Sequence, residues 1–141
     1  MGAWYWIGVA TGLGVGAGIV LGALLPGARI GVMAAIAAVL GVAAGIGIGL
    51  LVGGWAEATG GAIGGFLGAL SSVSIVAGAM RAGGTRLGVL VIVVLAGLVV
   101  ASLAFIPGVG YAEAVLVPAF AYRMRRRGRQ RYAGLRILAK D

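Results

Sequence analysis

Four long uncharged runs constrain this chain more than any other feature. Charged residues stand at Arg29, Glu57, Arg81, Arg86 and Glu113 and then crowd into the end from Arg123 onward, which leaves 1–28, 30–56, 58–80 and 87–112 without charge. Each run exceeds the roughly 20 apolar residues that a helix needs to cross a bilayer core about 30 Å thick. A soluble core can bury one such run. It cannot bury four in 141 residues of which only 10% are charged, where a soluble domain carries roughly 25%. The spacing predicts an all-α integral membrane protein, a bundle of transmembrane helices at about 4–25, 31–52, 60–80 and 87–106.

The breaks between the runs carry turn chemistry. Pro26 and Gly27 end the first helix, Gly53 and Gly54 the second, and Gly83 and Gly84 separate the third from the fourth, because Pro cannot donate to a helix ladder and Gly tolerates tight backbone. Trp4, Tyr5, Trp6 and Trp55 sit at run ends, where amphipathic rings favour the membrane–water interface. Met1-Gly2-Ala3 has no basic residue and position 6 is Trp, so neither a cleaved signal peptide nor N-myristoylation is expected.

A shorter apolar segment, 108–122, follows the turn signal at Pro107 and Gly108. It is short for a full crossing, and three readings stay open: a fifth crossing, a re-entrant segment or an interfacial helix. Charge separates them. The basic tail, 123–141, is expected to be cytoplasmic by the positive-inside rule. With four crossings, Arg29, Arg81 and Arg86 fall on the outer side; with five, all eleven basic residues share the cytoplasmic side and Glu57 faces out. The five-segment arrangement is preferred on that ground, over a domain of residues 1–122.

The glycines, 29 in all, recur in register. Gly8, Gly12 and Gly16 form one row and Gly14, Gly18 and Gly22 another; the second helix carries Gly41, Gly45, Gly49 and Gly53, and the third Gly60, Gly64 and Gly68 beside Gly61 and Gly65. Steps of four stay on one helix face, and small-xxx-small faces let backbones approach closely in lipid. Arg outnumbers Lys ten to one and Asn is absent, a GC-rich codon usage that accounts for part of the glycine count but not for its fourfold register, and that points to a bacterium. The fourth helix, rich in Val, Leu and Ile, is expected to be peripheral and lipid-facing.

Little in the sequence supports catalysis. Cys and His are both absent, which removes thiolate nucleophiles and the commonest general base and metal ligand. No phosphate loop, metal cluster or nucleophile–base set is present, and no cofactor or metal is expected. Glu57 and Glu113 are the only acids before the terminal Asp141. An ionisable group in the hydrocarbon marks an ion or proton path by default, so both are candidates. Each also has a structural reading: Glu57 as a loop residue capping the third helix, Glu113 at the positive end of a short helix. Ser71, Ser72 and Ser74 offer hydroxyls to a polar path or to neighbouring carbonyls.

Arg123, Arg125, Arg126, Arg127, Arg129 and Arg131 directly follow the last apolar segment. Such clusters draw anionic headgroups by roughly 1 kcal/mol per residue, and Tyr132, Leu135 and Leu138 continue at helical spacing. A tail lying on an anionic bilayer is the expected partner reading; nucleic acid is not. The leading expectation is a non-enzymatic bacterial inner-membrane (plasma-membrane) protein, multi-pass, Gly-xxx-Gly packed, that forms a homo-oligomer or serves as a membrane-complex subunit. Two alternatives stand beside it: a small ion- or proton-coupled transporter or channel using Glu113, and a pore of the holin type, whose layout of few helices and a basic tail this chain resembles in shape without sharing a motif.

Overall fold

The computed structural model describes the backbone of residues 2–25 and 30–133 and the side chains of 2–25 and 31–126. Five helices follow one another: α1 (Ala3–Leu24), α2 (Ile30–Val52), α3 (Trp55–Arg81), α4 (Arg86–Leu103) and α5 (Val109–Ala133). No strand occurs among the described residues. Helices α1 to α4 are long and apolar enough to cross a membrane. Glycine weakens a helix in water, but in hydrocarbon the backbone has no alternative partner, so glycine-rich apolar runs stay helical.

Two boundaries differ from the sequence expectation, each for a local reason. The third helix starts at Trp55 rather than near 60. Glu57 reaches back, its carboxylate accepting the Gly54 N–H at 2.8 Å, and Gly53 leaves room for it: a Cβ there would stand 2.6 Å from the carboxyl carbon. Residues 55–59 are therefore the first turns of α3, with Thr59 donating to the Ala56 carbonyl at 2.7 Å. The last helix does not stop at 122 but runs through Pro118 and on to Ala133, so no break separates the apolar segment from the arginines.

The connections are tight. Gly83 (φ +89°) and Gly108 (φ +82°) adopt the left-handed backbone that turns the chain between α3 and α4 and between α4 and α5, a conformation that glycine enters freely. Thr85 caps α4, its hydroxyl facing the Gly88 N–H at 3.4 Å.

Helix α1 lies at the centre and touches all four others. Facing residues rise together along α1 and α3, Gly14 at Gly61 and Gly18 at Gly65, so these two run parallel. Helix α2 is antiparallel to α3, with Gly41 at Gly65 and Gly45 at Gly61. Helix α5 runs parallel to α1, Tyr111 at Gly8 and Glu113 at Gly12, and α4 crosses the same side in the opposite sense. Buried Val15, Ile19 and Ala23 of α1 close on Val93 of α4, and Ala37 of α2 closes on Ala69 and Val73 of α3. Helix α4 buries only Val93 and Gly97 and presents Leu87, Ile92 and Val99 outward, as α2 presents Val39 and Leu51. An apolar exterior of this extent marks a surface that meets a membrane or another protein rather than water.

Candidate functional site

The parallel run of α1, α3 and α5 sorts the polar residues by end. Trp4, Tyr5, Trp6, Trp55 and Glu57 belong to the end where α1 and α3 begin; Arg81 and Arg86 belong to the end where α3 stops and α4 starts. The first end is stitched by two tyrosines: Tyr5 donates its hydroxyl to the Phe105 carbonyl at 2.9 Å and Tyr111 donates to the Trp4 carbonyl at 2.6 Å. Tyr5 also meets the rings of Trp4 and Trp6 edge-on. These bonds fix the start of α5 against α1 and so set the position of Glu113.

Among the described residues, Glu113 is the one acid that the fold draws inside. It is only 7% exposed, and neither carboxyl oxygen has a hydrogen-bond partner among the described residues. The carboxyl rests on the bare backbone of Gly12: a Cβ built there would lie 2.5 Å from Oε2, 2.6 Å from the Ala104 Cβ and 2.9 Å from the Gly110 Cα. Gly12 is within two residues of the middle of α1. The expectation that Glu113 serves the positive end of its helix is not what the structure has. It falls past the first turn of α5 and points into the bundle. Glu57, by contrast, sits at the rim and acts on the Gly54 N–H.

The serines do not reach Glu113. Ser71 donates to the Leu67 carbonyl at 2.7 Å and Ser72 to Ala69 at 3.0 Å, the backbone-directed bonds usual for hydroxyls in apolar helices. Ser71 and Ser74 line a cleft of about 170 Å³ between α3 and α5 that ends on Arg125. Pro118 lines it too, and its missing N–H leaves one α5 carbonyl without an intrahelical donor.

The glycine rows face three different neighbours. A Cβ on Gly14 or Gly18 would run into the backbone of Gly61 or Gly65; one on Gly22 would meet Ser72 and Ala69. On α3, Gly60 faces Ile7 and Thr11, Gly64 faces the Thr11 carbonyl and Gly68 that of Val15. Gly41 and Gly45 of α2 meet the backbone of Gly65 and Gly61, and Gly49 meets Glu57 and Ala58. Gly16 meets Gly97 and Ala101 of α4.

Among the tail arginines, Arg123, Arg125 and Arg126 are exposed, and Arg126 lies over the Tyr122 ring at 4.8 Å. Arg127, Arg129 and Arg131 belong to α5, with side chains outside the described set, and Leu135 and Leu138 lie outside the described residues altogether. Sequence reasoning missed the pairing of Gly12 with Glu113. The row of Gly8, Gly12 and Gly16 was the available signal, but spacing alone does not say which helix answers it. Compared with known proteins, the chain matches no family model, no curated protein and no solved structure.

Proposed function

We propose that this chain is a non-enzymatic, multi-pass bacterial inner-membrane protein whose glycine-packed bundle holds Glu113 as a proton or cation site, and that it works as a small proton- or cation-coupled membrane protein. One observation carries the reading: a carboxyl that is buried, lacks a hydrogen-bond partner among the described residues and rests on Gly12 near the middle of α1. Burying a polar group without a partner costs about 1–3 kcal/mol, and ionisable residues at such depth mark ion or proton paths by default. A carboxyl needed only for structure belongs where it finds a donor, as Glu57 does.

A further feature supports this reading over the oligomeric scaffold. The rows at Gly14, Gly18, Gly22, Gly41, Gly45, Gly49, Gly60, Gly64 and Gly68 all face neighbours within the same chain, so they give no reason to invoke a second copy. In this proposal α5 is the fifth crossing; because it runs parallel to α1 and α3, Arg81, Arg86 and the α5 arginines share one end, which the positive-inside rule takes as cytoplasmic. The outer end then holds the aromatic cluster and Glu57.

The test is flux. Purified protein in liposomes carrying a pH-sensitive dye is driven by an imposed membrane potential. The wild type and Glu57→Gln should move protons or a supplied monovalent cation; Glu113→Gln should fall to the rate of protein-free liposomes. Equal flux with and without the Glu113 carboxyl, or none in the wild type, would return the chain to the scaffold reading. Abrupt host killing on overproduction, with leakage of large solutes, would mark a pore of the holin kind instead.

A further inference from the structure

A second cavity lies at the opposite end of the bundle from the N-terminus. It occupies the gap between α2 and α4, floored by the ends of α1 and α3, and measures about 380 Å³, within the roughly 300–1,000 Å³ of ligand pockets. Leu25, Met33, Met80 and Leu90 line it, together with Arg81 and Arg86. The two arginines bracket the α3–α4 turn: Arg81 is the last residue of α3 and Arg86 the first of α4. No acidic residue lines the cavity among the described residues.

Arg81 suits its position, since a cation at a helix C-terminus meets the negative end of the dipole. Arg86 does not. It follows the cap residue Thr85 at the start of α4, where the dipole disfavours positive charge. Both arginines are exposed, on the wall of a cavity whose remaining lining is apolar. Helix stability therefore does not explain Arg86; the positive-inside rule accounts for the side of the membrane it lies on, and an anion held between the two arginines and the α4 N-terminus accounts for its place on the cavity wall.

We propose that this groove binds an anionic phospholipid of the surrounding bilayer, with the phosphate between Arg81 and Arg86 and an acyl chain against Leu25, Met33, Met80 and Leu90. Guanidinium groups match phosphate oxygens bidentately, and basic pockets between transmembrane helices are known headgroup sites. The apolar lining selects a lipid over a free anion, because inorganic phosphate gains nothing from it. The site is distinct from the α5 arginines and does not depend on the role given to Glu113.

The experiment measures the melting temperature of the full-length protein in a neutral detergent as phosphatidylglycerol, phosphatidylcholine or inorganic phosphate is added. Phosphatidylglycerol should raise it and phosphatidylcholine should not. The shift should survive replacement of Arg125, Arg126 and Arg127 by Gln, and should be lost in Arg86→Gln, a variant that relieves an unfavourable dipole contact and so should fold. Ala77 of α3 also lines the cavity, and Ala77→Phe, which fills the groove without touching charge, should reduce the shift as well. Equal shifts with both lipids, a shift reproduced by phosphate alone, or a shift lost with the α5 arginines but kept in Arg86→Gln would each overturn the proposal.

Discussion

Two faces of α1 carry glycine at the same fourfold spacing and meet different kinds of surface. Gly14, Gly18 and Gly22 face α3, which answers with Gly61, Gly65 and Ala69, so that backbone approaches backbone. Gly8, Gly12 and Gly16 point the other way, since a two-residue offset turns a helix by about 200°. There α5 and α4 bring side chains into the space: Tyr111, Glu113, Ala104 and Ala101, with backbone contact where Gly110 and Gly97 arrive. The first face gains dispersion contacts, the main source of helix association in lipid. The second accommodates a carboxyl that finds no hydrogen-bond partner among the described residues. The same sequence pattern thus serves close approach in one direction and lodging of a polar side chain in the other.

The largest effect should come from the first kind of face. Gly45→Leu and Gly64→Leu place a side chain directly against the Gly61 and Thr11 backbones. Overpacking typically costs 1–3 kcal/mol, and here no flexible side chain is available to yield. Either variant should lose most monodisperse protein on gel filtration in detergent. Full tolerance at both would mean that the rows owe their register to codon usage.

A smaller effect is expected at Gly12→Ala, whose methyl competes with the Glu113 carboxyl and the Ala104 methyl. It should remain folded with a lower melting temperature and impaired flux, because the carboxyl must move. An unchanged flux would separate Gly12 from the site. Gly97→Leu should be milder in folding than Gly45→Leu. Its nearest neighbours are the side chains of Val20 at 2.9 Å and Ile19 at 3.2 Å, with the Gly16 carbonyl at 3.1 Å, and rotamers can adjust. Gly47→Ala should be neutral or slightly stabilising, since nothing stands within 4 Å of its added methyl and Ala exceeds Gly in helix propensity by about 1 kcal/mol.

The four apolar spans were legible because charge is so sparse that its gaps mark the helices directly. The capping role of Glu57 was legible, but the start of α3 was not: Glu57 caps from inside the first turn of a helix that begins at Trp55, rather than from a loop ahead of it. The length of α5 was hidden by Pro118 and the arginines, both of which read as the end of an apolar segment. In the structure, the helix passes through both. The glycine rows could be found by counting, but their partners could not, since register against α2, α3 or α5 depends on how distant segments dock. The burial of Glu113 depends on a glycine about a hundred positions away, with its alignment fixed by the bonds of Tyr5 and Tyr111 across the α1–α5 end. No local pattern around Glu113 records that.

At the centre of this proposal, the chain keeps a carboxyl with no hydrogen-bond partner among the described residues inside a tightly packed bundle, against the interest of its own stability. The most direct test of that claim is the melting temperature of Glu113→Met in lipid nanodiscs at neutral pH, beside the wild type. Methionine is flexible enough to fill the space on Gly12 and brings no unsatisfied carboxyl. The account predicts that the variant melts higher than the wild type, by the equivalent of about 1–3 kcal/mol. A lower melting temperature would show that the carboxyl contributes a stabilising interaction, and would contradict the assignment of Glu113 as a functional site.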